Sequence, residues 1–300
     1  MSYKKTSYKR KTSALALIIG LICLLAFVFV ISNKDSGILK TSSDFDALQD
    51  FVRVIDVGQG DSALIYSNGY SALIDTGTSD SASDVCKVLK ECGIEEIDVL
   101  LITHLHADHT GGVSKIAEFF EIKNVILPEI SIESEGLTSA ELIINKVTES
   151  GGGVFNAKPG MNFRIGEFEI TVLAAYGNMP DENNRSIMTM AKIGDKKFMF
   201  TGDAESKAEK ALLKEGLNLK CDVFMAGHHG SSTSNTDELL SAMKPKYAVI
   251  SAGENNMYGH PHREVLAAFE HIGAKIYRTD YNGDITFYIN DGKINPKTER

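Results

Sequence analysis

The stretch LLITHLHADHTGG, residues 100–112, restricts the fold of this chain more than any other. Its apolar lead-in, IDVLLIT at 97–103, reads as a strand covered on both faces, which places it inside a layered α/β architecture. Directly behind it stand His104, His106, Asp108 and His109, so three of the chain's eight histidines fall within six positions. With the chain still extended, His104 and His106 point the same way by the two-residue period of a strand. Asp108 and His109 then fall where the chain turns into a helix expected over 111–121, capped near Thr110, with Gly111 and Gly112 permitting a tight turn. Two imidazoles, then a carboxylate and a third imidazole, leave one loop in two pairs. Such a ligand set suits zinc, and manganese or iron as well.

Around this loop the hydropathy pattern alternates between short strands and amphipathic helices. FVRVIDV (51–57), SALIYS (62–67) and YSALID (70–75) read as strands, parted by GQGD and by NG, the second a hairpin turn. Helices are expected over 79–93 and 138–149, with a strand at 124–127 between them. FEITVLA (168–174), SIMTMAKIG (186–194) and KKFMFTG (196–202) form a meander. The last third alternates helices at 204–215, 236–243 and 263–272 with strands at 222–226, 246–251 and 275–278, closing on a strand at 284–289. Two comparable halves of this kind predict an α/β domain over 51–290 with two sheets face to face and helices outside. Residues 291–300 read as a tail.

The N-terminus is built differently. Residues 1–12 carry Lys4, Lys5, Lys9, Arg10 and Lys11, and ALALIIGLICLLAFVFVI (14–31) is an uncharged apolar run long enough to come close to spanning a bilayer. It is longer than a usual signal-peptide core and no A-x-A site follows it. Residues 13–32 are therefore expected to be an uncleaved transmembrane signal anchor, with the basic segment 1–12 cytoplasmic and the rest of a single-pass chain outside the cell membrane. Residues 33–50, rich in Ser, Asp and Lys, read as a linker. The chain carries net −9, and −14 once those five basic residues are set aside, which disfavours a surface that grips nucleic acid by charge alone. Of the four cysteines, Cys23 lies in the apolar run, Cys221 heads a strand, and Cys86 and Cys92 either pair or stay free; this is no disulfide framework.

THLHADHTGG resembles the signature of the metallo-β-lactamase superfamily, whose fold is a four-layer αββα sandwich with a one- or two-metal site at the sheet edge. ALIDTG (72–77) and FTGDAE (200–205) resemble two further motifs of that superfamily. VIDVGQGDSALI (54–65), GHHGSSTSN (227–235) and YGHPH (258–262) are similar to the hydrolase domain of the competence DNA-uptake channel ComEC. The resemblance implies that His104 and His106 hold one metal, that Asp108, His109 and His229 hold the other, and that Asp203 bridges them, with zinc (one or two ions) or manganese as the cofactor. His229 is preferred to His228 as the ligand, leaving His228 to face the substrate. Asp75 would orient a ligand histidine. The superfamily usually adds a third histidine to the first metal, but none occurs between His109 and His228; PDENNRSIM (180–188) puts Asn183 or Asn184 in that vicinity, so the first site would be open.

These resemblances imply a metal-dependent hydrolase acting through a water acidified towards neutral pH, with Asp108 and Asp203 steadying the site and His228 or His260 stabilising the departing group. The favoured substrate is a phosphodiester, including DNA. A choline-phosphate ester or a lactam is the alternative enzyme substrate, and a catalytically degenerate, membrane-tethered binding module the alternative outside enzymes. Gly58 and Gly60 follow a strand but precede another strand, so they do not form a dinucleotide loop. Asp56 and Asp61 read as structural turn residues in preference to groups that orient a ligand from behind.

Overall fold

The computed structural model describes residues 49–130 and 137–300. The expected basic segment 1–12, the anchor 13–32 and nearly all of the linker 33–50 lie outside the described residues. Among the described residues no helix is long and apolar enough to cross a membrane.

The first half of the domain runs β1 (Asp50–Val54), β2 (Ala63–Ser67), β3 (Tyr70–Ile74), α1 (Ala82–Glu91), β4 (Glu96–Ile97) and β5 (Val99–Leu101). It continues with α2 (Ala107–Thr110), α3 (Val113–Phe119), β6 (Glu121–Ile122), β7 (Asn124–Leu127), α4 (Leu137–Glu149) and β8 (Gly153–Asn156). The second half runs β9 (Asn162–Ile165), β10 (Phe168–Ala174), β11 (Met188–Ile193), β12 (Lys196–Phe200), α5 (Ser206–Lys214) and β13 (Val223–Met225). It ends with α6 (Asp237–Met243), β14 (Tyr247–Ile250), α7 (Arg263–His271), β15 (Lys275–Arg278), α8 (Thr279–Asn282), β16 (Ile285–Asn290) and β17 (Lys293–Thr298).

Eight strands form one sheet in the order β17-β16-β1-β2-β3-β5-β7-β8, and seven form the other, β15-β14-β13-β12-β11-β10-β9. Strand alternation explains why they stack. In β10 Phe168, Ile170, Val172 and Ala174 are buried while the residues between them are half-buried. Phe287 of the first sheet meets Phe198, Tyr247 and Tyr277 of the second at centroid distances of 5.8–6.3 Å. The outer faces are covered by helices: Val85, Leu89, Ile116 and Ile143 pack with Leu73 and Leu100 on one side, and Leu212, Leu239 and Phe269 with Met199 and Phe224 on the other. The four-layer sandwich expected from the sequence is therefore the observed architecture.

Each sheet changes character at one strand. β3 pairs antiparallel with β2 and parallel with β5; β12 pairs antiparallel with β11 and parallel with β13. Loops at the carboxyl ends of the strands beside such a switch are where an open α/β sheet leaves a crevice. Asp75 follows β3, and Asp203 follows β12.

Several expectations need correction. The tail at 291–300 is instead mostly β17, paired with β16 from Ile285↔Thr298 to Asn290↔Lys293. It is an edge strand, and Lys293, Pro296 and Lys297 mask its alternation, as edge strands require. The Asp291-Gly292 turn, both residues at positive φ, was the legible signal. Asp50, placed in the linker, pairs with Ile289. The helix expected over 111–121 is two: α2 begins at Ala107 and α3 at Val113. Thr110 does not cap the second; its hydroxyl donates back to the His106 carbonyl at 3.1 Å. Cys86 and Cys92 are buried and free.

Candidate metal centre

Three loops converge on one point, and two more stand behind it. The first is residues 102–112, after β5. His104 Nε2 lies 3.0 Å from His106 Nδ1, although the strand has ended at Leu101, so the two rings meet as the period-two argument expects. One helical turn, α2, then carries Asp108 and His109 back under them, and the His104 and His109 rings stand 4.1 Å apart. That turn packs tightly on its neighbours: a side chain at Gly112 would strike the Thr76 carbonyl, and one at Gly60 the Asp108 carbonyl.

The second loop delivers Asp203, buried, with its backbone N–H donating to Ser186 Oγ at 3.1 Å. Its carboxylate faces both sides of the site. Oδ1 lies 3.2 Å from His109 Nε2; Oδ2 lies 3.5 Å from His229 Nε2, 3.6 Å from His228 Nε2 and 3.8 Å from His104 Nε2. The third loop, Gly227–Gly230, sets His228 and His229 consecutively in the left-handed region, φ 53° and 55°. Such backbone costs about 1–3 kcal/mol per residue and persists only where its surroundings impose it. Asn235 does so: its amide oxygen accepts from Gly227 N–H at 2.9 Å and its nitrogen donates to the Gly227 carbonyl at 2.9 Å. As a result His229 Nε2 also lies 3.2 Å from Asp108 Oδ2.

Behind the two buried imidazoles stand two more carboxylates. Asp75, itself at φ 58°, has Oδ2 2.8 Å from His109 Nδ1 and accepts from Thr103 N–H at 2.7 Å and Thr103 Oγ1 at 2.6 Å. Asp61 Oδ1 lies 3.1 Å from His229 Nδ1. The sequence favours a turn role for Asp61 over a place behind a ligand, and the structure reverses that order; the signal is its place in GDS at a strand start, mirroring Asp75 in DTG at a strand end. Asn235 was missed.

Charge follows from this arrangement. Burial opposes a charged His109, but Asp203 and Asp75 outweigh it and hold the imidazole well above its usual pKa. His229 is likewise raised against burial by Asp203 and Asp61. Burial would raise the Asp203 pKa, yet His229 and His109 keep it well below the carboxylate range. His104, by contrast, is pushed down by burial and then by His109. At the rim, burial followed by His229, His228 and His262 pushes His260 down to about 4, so it is an uncharged ring at neutral pH.

Among the described residues, two ligand groups share a member: Asp108, His109, Asp203 and His229 form one, and His104, His106 and Asp203 the other. The fit to a metal can be tested on the atoms themselves. His109 Nε2 and Asp203 Oδ1 are buried and face each other at 3.2 Å without the alignment of a hydrogen bond to one another or to any other group, a costly state for polar atoms that a cation between them and their neighbours would relieve. The donor set is imidazole and carboxylate, and the outward nitrogens of His109 and His229 are fixed by Asp75 and Asp61, as in metal sites generally. The residues fit.

Of the two asparagines, Asn184 is used up elsewhere. Its oxygen accepts from Glu205 and Ala208 N–H at the start of α5, and its nitrogen donates to Asp181. Asn183 retains a buried side-chain oxygen with no hydrogen-bond partner, in a loop hooked to the histidine segment where Glu182 Oε1 accepts from Leu105 N–H. His228 Nδ1 lies 3.2 Å from Thr233 Oγ1 and 3.6 Å from Glu205 Oε1.

Comparison with known proteins agrees with this geometry. The model of the metallo-beta-lactamase superfamily matches residues 55–254, and the chain belongs to that superfamily, whose members are for the most part metal-dependent hydrolases. Its relatives include competence-type proteins. ComE operon protein 3 of Bacillus subtilis is 29% identical over 93% of this chain and 37% of its own length. Competence protein ComA of Neisseria gonorrhoeae is 30% identical over 81% of this chain and 33% of its own length. The chain thus spans about a third of the length of these relatives. In fold it is similar to the metallo-beta-lactamase fold protein YhfI from Bacillus subtilis, with a TM-score of 0.55 at 12% identity over 80% of this chain and 99% of that one.

Proposed function

We propose that this chain is a metal-dependent phosphodiesterase acting on nucleic-acid or nucleotide diesters, held at the outer face of a membrane by residues 13–32. The observation that carries the reading is the shared carboxylate: Asp203 belongs to both ligand groups, with Oδ1 towards His109 and Oδ2 between His229 of one group and His104 of the other. Zinc or manganese held by these residues would supply Lewis acidity to a phosphoryl group and lower the pKa of water. The chain's own part is to fix those ligands. His109 and His229 are locked by Asp75 and Asp61, and His228, with its Nδ1 towards Thr233 and Glu205, presents Nε2 to the opening. The competence relatives and the likeness to a DNA-uptake hydrolase domain favour a nucleotide substrate over a lactam.

The test is turnover of bis-p-nitrophenyl phosphate and of single- and double-stranded DNA with zinc and with manganese. Asp203→Ala is expected to lose roughly a hundredfold or more in kcat/KM with the fold retained by circular dichroism. Equal rates for variant and wild type on every substrate would sink the two-metal reading, and cleavage of a choline-phosphate ester or lactam alone would replace the substrate. For the membrane placement, a reporter fused after Arg300 should be active only outside the cytoplasm; a cytoplasmic signal reverses the topology.

A further inference from the structure

The geometry points to a second function for the loop after β14: a stacking platform for an unpaired nucleobase attached to the phosphate being cleaved, with Tyr258 as its outer ring. The inference rests on the phosphodiesterase reading above. Two large apolar side chains stand next to each other in this loop in the open, Met257 at 90% and Tyr258 at 60% exposure. Tyr258 lies nearly parallel to His260, ring centroids 5.6 Å apart and planes 21° from one another. His260 in turn lies 6.2 Å from His229, tilted by 33°. Three rings therefore step from the metal centre out to solvent.

The loop is not a loose tip. The Asn256 side chain donates to the carbonyls of Gly253 (2.9 Å) and His260 (2.6 Å) and accepts from the N–H groups of Tyr258 (3.2 Å) and His260 (2.9 Å). Gln59, from the loop between β1 and β2, accepts from Gly253 N–H at 3.3 Å and sits 3.4 Å from His260 Nδ1. A loop backbone held in place this way loses little freedom when something stacks on the ring it carries. The occupant that fits is a planar base. Aromatic rings bind bases through their faces without regard to sequence, and paired bases in a duplex have those faces covered. The charge balance agrees: a chain of net −9 has no excess of cations to hold a phosphate backbone, so affinity for a nucleotide must come from contacts of another kind.

The experiment compares the full-length wild type, Tyr258→Ala and Tyr258→Phe, each loaded with manganese. The readout is the ratio of kcat/KM for the p-nitrophenyl ester of thymidine 5′-phosphate to that for methyl p-nitrophenyl phosphate, which has no base. Tyr258→Ala should cut this ratio about tenfold, mainly through KM on the thymidine ester, and Tyr258→Phe should keep it. A ratio unchanged in Tyr258→Ala overturns the platform. If the wild type turns over neither ester, the phosphodiesterase reading fails by itself, and binding decides the platform. Thymidylate held more tightly than inorganic phosphate, with that preference lost in Tyr258→Ala, keeps it, and equal affinity for the two removes it.

Discussion

The two halves of the metal centre use the same kinds of side chain and are built to different standards. Around Asp108, His109 and His229 both imidazoles are buried and each is backed by its own carboxylate, Asp75 or Asp61. On the other side, His104 Nδ1 has the Thr103 hydroxyl at 3.2 Å where His109 and His229 have carboxylates, and the third imidazole common in the superfamily is missing between His109 and His228. Affinity for a cation depends on how firmly its ligands are aimed and polarised as much as on their identity. The halves should therefore hold metal unequally, the first tightly and the second loosely.

The largest effect expected from this inequality is on metal content. His109→Ala should strip the tightly held ion, whereas His104→Ala should leave about one ion per chain after dialysis. Metal analysis of both variants decides it, and two equally retained ions in the wild type would erase the distinction. A smaller change is expected from Asp61→Asn, which keeps an oxygen towards His229 but removes the charge. Affinity at the tight half should fall about 10–100-fold while the loose half holds its value. Competition with a fluorescent chelator measures both; no change would return Asp61 to the role of a turn residue.

The smallest effect is on pH, and its sign follows from the metal-free site. His109 and His229 have raised pKa values, so both carry protons through the neutral range and must release them to a metal. Affinity at the tight half should therefore weaken as pH falls from 8 to 6, by about tenfold per unit for each proton displaced. His104, whose pKa is lowered, is already neutral there, and the loose half should respond less. Titration calorimetry in buffers of unlike ionisation heat reports the protons released; equal slopes at the two halves would contradict the assignment.

How much of this was readable beforehand depended on distance along the chain. His104, His106, Asp108 and His109 sit in one loop, so spacing alone brings them together. Asp61 and His229 are 168 positions apart, and no local pattern pairs them. Asn183 and Asn184 are adjacent and chemically identical; only the fold consigns one to the start of α5. The layered architecture was legible because β10 and the strands of both sheets alternate or run apolar as covered strands do. β8 and β9 were not: they are four residues each, and β8 has no fully buried position. The apolar anchor was legible as composition and lies outside the described residues.

Asp75 and Asp203 each follow the strand at which their sheet turns from antiparallel to parallel. The centre therefore lies across a seam, with the 102–112 loop contributed by one sheet and Asp203 and His229 by the other. An ion bound there would act as a clasp between the two sheets, adding cross-links of a kind that the hydrophobic interior does not supply. Withdrawing it with a chelator would then do more than stop turnover: the seam should become the first place where the domain breathes, and where a protease finds its opening.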